Sequence, residues 1–162
     1  MAHDERHGDT ERATMGETPT TSVLVQLAEE YYRRADAGQP DVVDLFTEDV
    51  EIFFPKFGVG RGKAAFGELA TGLLGSLKAI AHDRGGLSYV AVGRTVVVEG
   101  TTRGETRNGT QWDGGKTPGG RFCSVFEFRD RLISRMYIYL DPDYGSADRD
   151  RFLWPESATR HW

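Results

Sequence analysis

The sequence predicts an α+β domain in which a curved antiparallel or mixed sheet wraps around N-terminal helices and leaves a conical pocket. Three observations predict it. Residues 27–62 read in order as an amphipathic helix, a Gly-Pro break, a helical turn, an alternating strand and a glycine-flanked loop into a second helix. Everything after Gly85 reads as strands and turns. With 162 residues, 38% of them hydrophobic, the chain is one domain with bulk enough for a single core. Helices first and strands afterwards place the helices on one face of the sheet.

The first helix is capped by Thr21 or Ser22 and carries Leu24, Leu27, Ala28, Tyr31 and Ala35 at spacings of three and four. That stripe buries Tyr31 and leaves Glu29, Arg33 and Arg34 toward solvent. Gly38 stops the helix, and Pro40 opens a short helical segment to Phe46. Thr47-Glu48-Asp49 is read as a turn into the strand Val50 to Phe54, where Ile52 and Phe54 share a face and Glu51 and Phe53 take the other. From Lys63 to about Ile80 the residues Phe66, Leu69, Leu73, Leu77 and Ile80 recur at helical spacing, with Gly67, Gly72 and Gly75 as weak points. The strands that follow are Leu87 to Val92, Thr95 to Thr102, Phe122 to Phe128 and Leu132 to Leu140, with turns at Gly93-Arg94, Asn108-Gly109 and Arg129-Asp130-Arg131. Residues 1–21 are polar and read as a disordered leader, 22–142 as the domain, and 143–162 as a tail packed on the domain or on a partner subunit.

Composition excludes several classes. A net charge of −5 with no basic block argues against nucleic acid. No apolar run reaches the roughly 18 residues of a membrane span, and the N-terminus has no signal-peptide core. The single cysteine, Cys123, excludes an internal disulfide and suits a reducing cytoplasm, and its bland role is a small buried hydrophobe. No His/Cys/Asp/Glu cluster has metal-ligand spacing, no serine sits in a nucleophile elbow, and no cofactor is implied. The loop Asp113 to Gly120 lacks a phosphate-loop order and reads as a hairpin at the cone's mouth, with Trp112 as a lid aromatic.

The segments EEYYRRADAGQPDVVDLFTEDVEIFFP, GRGKAAF, TVVVEGTTRG and SVFEFRDRLISRMYIYLDP resemble, in order and spacing, the SnoaL-like branch of the nuclear transport factor 2-like superfamily. That group includes ketosteroid isomerases, limonene epoxide hydrolase and scytalone dehydratase. The resemblance covers about residues 22–142. It implies a cystatin-like cone, a homodimer through the outer sheet face, and acid–base chemistry on an apolar small molecule. Tyr31 matches the isomerase tyrosine that donates to a developing oxyanion. The isomerase base position falls on Phe54, before Pro55, and its second oxyanion donor falls near Arg121 or Phe122. The Asp-Arg-Asp set of the epoxide hydrolase falls on Gly100, Thr102 and Ile138, and its water-positioning Tyr and Asn fall on Ile52 and Phe54. The chemistry of both relatives is therefore missing its usual residues.

What remains for catalysis is Tyr31, His82 and Asp141. Tyr31 would polarise a carbonyl, and His82, oriented by Asp83, would move the proton. The alternative for His82 is a cap at a helix C-terminus. Asp141 either serves the pocket mouth or caps the turn made with Pro142. Ile52, Phe54, Trp112, Phe122 and Ile138 would line the substrate cavity. Tyr137, Tyr139 and Arg135 would face outward as dimer contacts if Ile138 faces the cone. Two classes stay open: a cofactor-independent isomerase, cyclase or dehydratase on a polyketide-, terpene- or steroid-like substrate, and a non-catalytic binding or assembly module.

Overall fold

The computed structural model describes residues 19–151; the leader before them and the tail residues Phe152, Leu153 and Trp154 lie outside the described residues. Helix α1 spans Thr21–Asp36 and buries Leu24, Ala28, Tyr31 and Tyr32. It ends where Gly38 takes φ +62°, a conformation glycine enters without strain. A short 3-10 helix, Pro40–Leu45, follows with proline at its start, as the break predicted.

Strand β1, Phe46–Phe54, begins four residues before the predicted Val50. The segment read as a turn is strand with a register shift between Phe46 and Glu51, which turns Glu48 and Asp49 to solvent while Thr47 stays buried. The glycine-flanked loop is itself a strand, β2 (Gly58–Arg61), paired antiparallel with β1. Helix α2 spans Lys63–Ser76 and stops short of Ile80. Residues Leu77–His82 form strand β3, antiparallel to β5. After Gly75-Ser76 the apolar positions fit both a period of two and a helical stripe, and pairing with β5 decides between them.

The remaining strands are β4 (Ser88–Val92), β5 (Thr95–Thr106), β6 (Gln111–Asp113), β7 (Arg121–Arg129) and β8 (Leu132–Leu140). They form one mixed sheet in the order β2-β1-β8-β7-β5-β3, with β4 and β6 also on β5. Only the β1–β8 pair is parallel among the pairings described. Long β5 changes partners half-way, from β4 and β7 to β3 and β6, and this change lets the sheet curl around the helices. The inner face carries Val50, Ile52, Val96, Val98, Phe122, Phe126 and Met136, all buried in one core with the inward residues of α1 and Leu69 of α2. On the outer face one register row joins Val59, Phe53, Tyr137, Val125, Val97 and Val90 across the sheet. This is the α+β cone, with its helices on the concave side.

Candidate functional site

The last residue of α1 and the last residue of β3 meet. The Nδ1 atom of His82 lies 2.6 Å from Asp36 Oδ1. The backbone N–H of His82 also donates to both Asp36 oxygens at 3.3 Å. A carboxylate only accepts, so Nδ1 is the donor of this contact, and in a neutral imidazole Nε2 is then the nitrogen that carries the lone pair. The two side chains are 20% and 15% exposed, so the contact is largely shielded from water. Arg84 Nε approaches the other Asp36 oxygen at 3.9 Å. The imidazole packs edge-on against Tyr32, centroids 4.7 Å apart, and Phe122 at 5.1 Å.

This differs from the sequence reading in three ways. His82 ends a strand and caps no helix. Its partner is Asp36, 46 residues away in sequence, while Asp83 lies over Gly86 instead. The tyrosine touching its ring is Tyr32, the neighbour of Tyr31. Tyr31 is 7% exposed and sits among Tyr32, Phe46, Phe66 and Phe126, which fill the depth of the cone with interlocking rings. Burial, and secondarily the Asp36 charge, push its phenol well above the ordinary range. Burial does the same to Tyr32, whose hydroxyl faces Ser124 without forming a good hydrogen bond and has no partner among the described residues. Both phenols therefore stay protonated near neutrality.

Asp141 does not join His82. It lies just after β8, three strands across the sheet from β3. Its carboxylate accepts the Asp143 N–H at 2.8 Å, a side-chain-closed turn. Trp112 is not a lid. It is 3% exposed, stacks on Tyr144 at 4.1 Å, and donates its indole N–H to Thr102 Oγ1 at 3.0 Å. The loop it precedes is packed down too: a Cβ at Gly119 would stand 2.5 Å from the Tyr144 carbonyl oxygen. Lys116 is taken by Asp113 at 2.7 Å. Ile52, Phe54 and Phe122 are buried on the inner face, and Ile138 packs half-buried beside them.

A cavity of about 320 Å³ opens at the mouth of the cone between the end of β1, α2 and the segment after β8. Phe54, Phe57, Leu73, Leu77 and Tyr144 line it, so Phe54 alone of the five residues expected to touch a substrate reaches it. A shallower groove of about 520 Å³ crosses β3, β5 and β6 beside Trp112. Its acids are already paired, Glu105 with Lys78 and Asp113 with Lys116, which marks a solvated face. Among the described residues no group of three or more His, Cys, Asp or Glu is placed to hold a metal ion, and no helix is long and apolar enough to cross a membrane.

The model of the SnoaL-like domain family matches residues 28–136. The chain belongs to that family. The matched region holds Tyr31, Tyr32, Asp36, His82 and Trp112, while Asp141 and Tyr144 lie beyond it. This SnoaL-like domain is similar to solved structures of the same fold. An NTF2-like protein from Anabaena variabilis is 21% identical, with 80% of this chain and 98% of that chain covered and a TM-score of 0.64. A protein from Xanthomonas campestris pv. campestris, solved as a candidate polyketide cyclase, is 21% identical over 75% of this chain and 92% of that chain, with a TM-score of 0.62. An LEH-like epoxide hydrolase of M. tuberculosis is 21% identical over 76% and 86% of the two chains, with a TM-score of 0.56. Among curated proteins none matches this chain.

Two functional candidates were missed in the sequence. Asp36 had a signal: it is a carboxylate in the last turn of a helix, where the dipole disfavours negative charge. Tyr32 is adjacent to the stripe, and Phe122 and Phe126 of β7 together with His82 at the end of β3 bury it.

Proposed function

We propose that this SnoaL-like domain is a cofactor-independent enzyme that moves a proton on an apolar, carbonyl-bearing small molecule of polyketide, terpene or steroid type. The outcome would be an isomerisation, a cyclisation or a dehydration. The observation that carries the reading is the Asp36–His82 contact of 2.6 Å, set among aromatic rings. In the proposed mechanism Nε2 takes a proton from carbon next to the substrate carbonyl and returns it at a second position. Asp36 is a positioning residue that fixes the tautomer and the ring plane. Tyr32, buried beside the imidazole with ring centroids 4.7 Å apart, holds the ring in place from one side. Tyr31, closed in by aromatic rings, and Asp141, at its turn, are not used in this mechanism.

Deuterium uptake next to the carbonyl of a panel of aryl and terpenoid ketones, followed by NMR in heavy water, tests this. His82→Gln is expected to slow exchange by about 10²–10⁴-fold. Equal rates for His82→Gln and the unaltered protein would overturn the mechanism.

A second reading rests on a separate observation, the apolar register row on the outer sheet face. Phe53 there packs against Tyr137 and Tyr139 at 5.5 and 5.6 Å, and Tyr139, Val59, Val90 and Val92 are exposed. A second copy of the chain is the proposed partner for this face, and assembly would then be part of the function whatever the cone does.

A further inference from the structure

Past β8 the chain itself walls the mouth cavity, where Pro142, Asp143, Tyr144 and Gly145 line one side. Ser146, Asp148 and Arg149 then line a neighbouring hollow of about 450 Å³. Lys56 and Asp143 border both, so the two hollows lie side by side. A 3-10 turn, Arg149–Arg151, ends the described residues, and the next three in sequence are Phe152, Leu153 and Trp154. An extended chain covers about 3.3 Å per residue, so Trp154 can lie up to roughly 16 Å from Arg149. That exceeds the width of a compact hollow of this volume, and the mouth cavity is within reach. The family match ends at residue 136, so the wall and the segment both lie beyond it.

The cavity offers an aromatic ring to an occupant. The Phe57 N–H donates to the Phe54 carbonyl at 3.1 Å, in a turn where Lys56 takes φ +69°. The Phe57 ring lies across α2 at Gly72, where a Cβ would stand 2.5 Å from it. It meets Phe54 edge to face at 5.7 Å, yet it remains 54% exposed. Turn and glycine thus hold the ring at the rim with half of its surface in water. The polar lining makes little demand on an occupant. Ser76 Oγ donates to the Leu73 carbonyl, the Thr106 hydroxyl donates to Asn108, and the Asp143 carboxylate accepts from Gly145 and Ala147 N–H groups. Lys56 is the one basic residue of the lining, exposed and in no ion pair among the described residues. What fits is a short apolar segment followed by a negative charge. Residues 152–154 are three large apolar side chains in a row, and Glu156 comes two residues after Trp154.

We propose that the mouth cavity is the docking site of this chain's own Phe152-Leu153-Trp154 segment, with the Trp154 indole against Phe54, Phe57 and Leu73 and Glu156 toward Lys56. A volume of about 320 Å³, small for a ligand pocket, takes one large ring and little more. The docking stands apart from the proton-transfer reading, because His82 does not line this cavity.

The test is fluorine NMR of the full chain labelled with 5-fluorotryptophan. The three tryptophans, Trp112, Trp154 and Trp162, give three resonances, assigned with Trp154→Phe and Trp162→Phe. In the unaltered chain the Trp154 resonance is displaced from that of the free amino acid and does not respond to heavy water. Phe57→Ser returns it to the free position, while the Trp112 resonance stays put as the check on folding. Trp154→Ser, which alters no described residue, raises bis-ANS fluorescence above that of the unaltered chain. His82→Gln leaves the Trp154 resonance where it was, so this proposal and the proton-transfer mechanism fail separately. A Trp154 resonance at the free position in the unaltered chain would overturn the proposal, as would one that Phe57→Ser does not move, or equal bis-ANS fluorescence for Trp154→Ser. Mixing labelled Phe57→Ser with unlabelled Trp154→Ser decides whose segment docks. A resonance that stays at the free position supports the chain's own segment, and one that returns to the displaced position makes the occupant a second copy's segment and overturns the assignment.

Discussion

Removing the carboxylate of Asp36 tests the site at its least expected residue. In Asp36→Ala the His82 imidazole loses its 2.6 Å acceptor, and the His82 backbone N–H loses both 3.3 Å contacts. A hydrogen bond to a charged group contributes about 1.5–3 kcal/mol when shielded, and these side chains are 15–20% exposed. Against this, a negative charge in the last helical turn costs about 0.3–1 kcal/mol, which the alanine relieves. The net destabilisation is therefore about 1–2 kcal/mol for Asp36→Ala. For Asp36→Asn it is smaller, since an amide oxygen still accepts from Nδ1–H. Urea unfolding with an unchanged slope gives the energy. The nitrogen-15 shifts of the His82 ring give the tautomer: Nδ1–H in the unaltered protein and in Asp36→Asn, shifting toward Nε2–H in Asp36→Ala. If Asp36 acts by positioning, kcat falls in step with the loss of that tautomer while KM holds. A ring that keeps Nδ1–H in Asp36→Ala, with stability unchanged, would refute the argument for a built pair.

Light scattering at micromolar concentration is expected to show a dimer, and Phe53→Glu, which puts a charge in the middle of the outer row, is expected to give a folded monomer; a monomeric unaltered chain sinks that proposal. Arg33 and Arg34 hold the Glu30 carboxyl down to about 2 from 4.5, with hydrogen bonds from the two guanidinium groups the leading cause. Because the folded value is the lower one, the contribution of this cluster to stability is complete above the unfolded value and is lost as pH falls through about 2. Carbon-detected NMR titration should show Glu30 midpoint rising toward the ordinary range in Arg34→Gln; an ordinary midpoint in the unaltered chain would mean that the cluster does not form in solution.

The architecture was legible because it rests on local signals. The stripe of α1, the glycine at position 38 and the alternation in β1, β5, β7 and β8 each point to one structure, and all point to the same one. The misread parts were those where a local pattern served two periods or where a partner far along the chain decided. Leu77 and Ile80 fit a helix as well as a strand, and the pairing of His82 with Thr102 settles it. Asp83 was the nearer acid to His82 in sequence, but side-chain partners follow the fold, and α1 brings Asp36 there instead. Trp112 beside a glycine-rich loop looked like a lid, yet the glycines permit close approach. Gly120 and Gly104 leave room for the indole, and Cβ atoms there would stand 2.7 and 2.4 Å from it.

The two glycines of β5 also explain where chemistry can reside in this cone. Gly100 and Gly104 flank Thr102, all three on the inner face. A side chain at Gly100 would strike Leu87 at 2.3 Å and crowd Phe122 at 3.2 Å, and one at Gly104 would strike the Ala79 carbonyl at 2.3 Å. Thr102 itself is consumed, donating to the Gly120 carbonyl and accepting from Trp112. The strand that resembles the acid-bearing strand of the epoxide hydrolase is therefore committed to packing. A carboxylate at its glycine positions would have to displace rings or backbone to fit. That commitment has a positive side. With no side chain at Gly100, Phe122 can stand against the imidazole of His82, and with none at Gly104, Trp112 can reach Tyr144. The same strand thus braces the Asp36–His82 pair at one end and the Trp112–Tyr144 stack at the other. The carboxylate–imidazole contact lies one strand over, at the edge where β3 meets the end of α1.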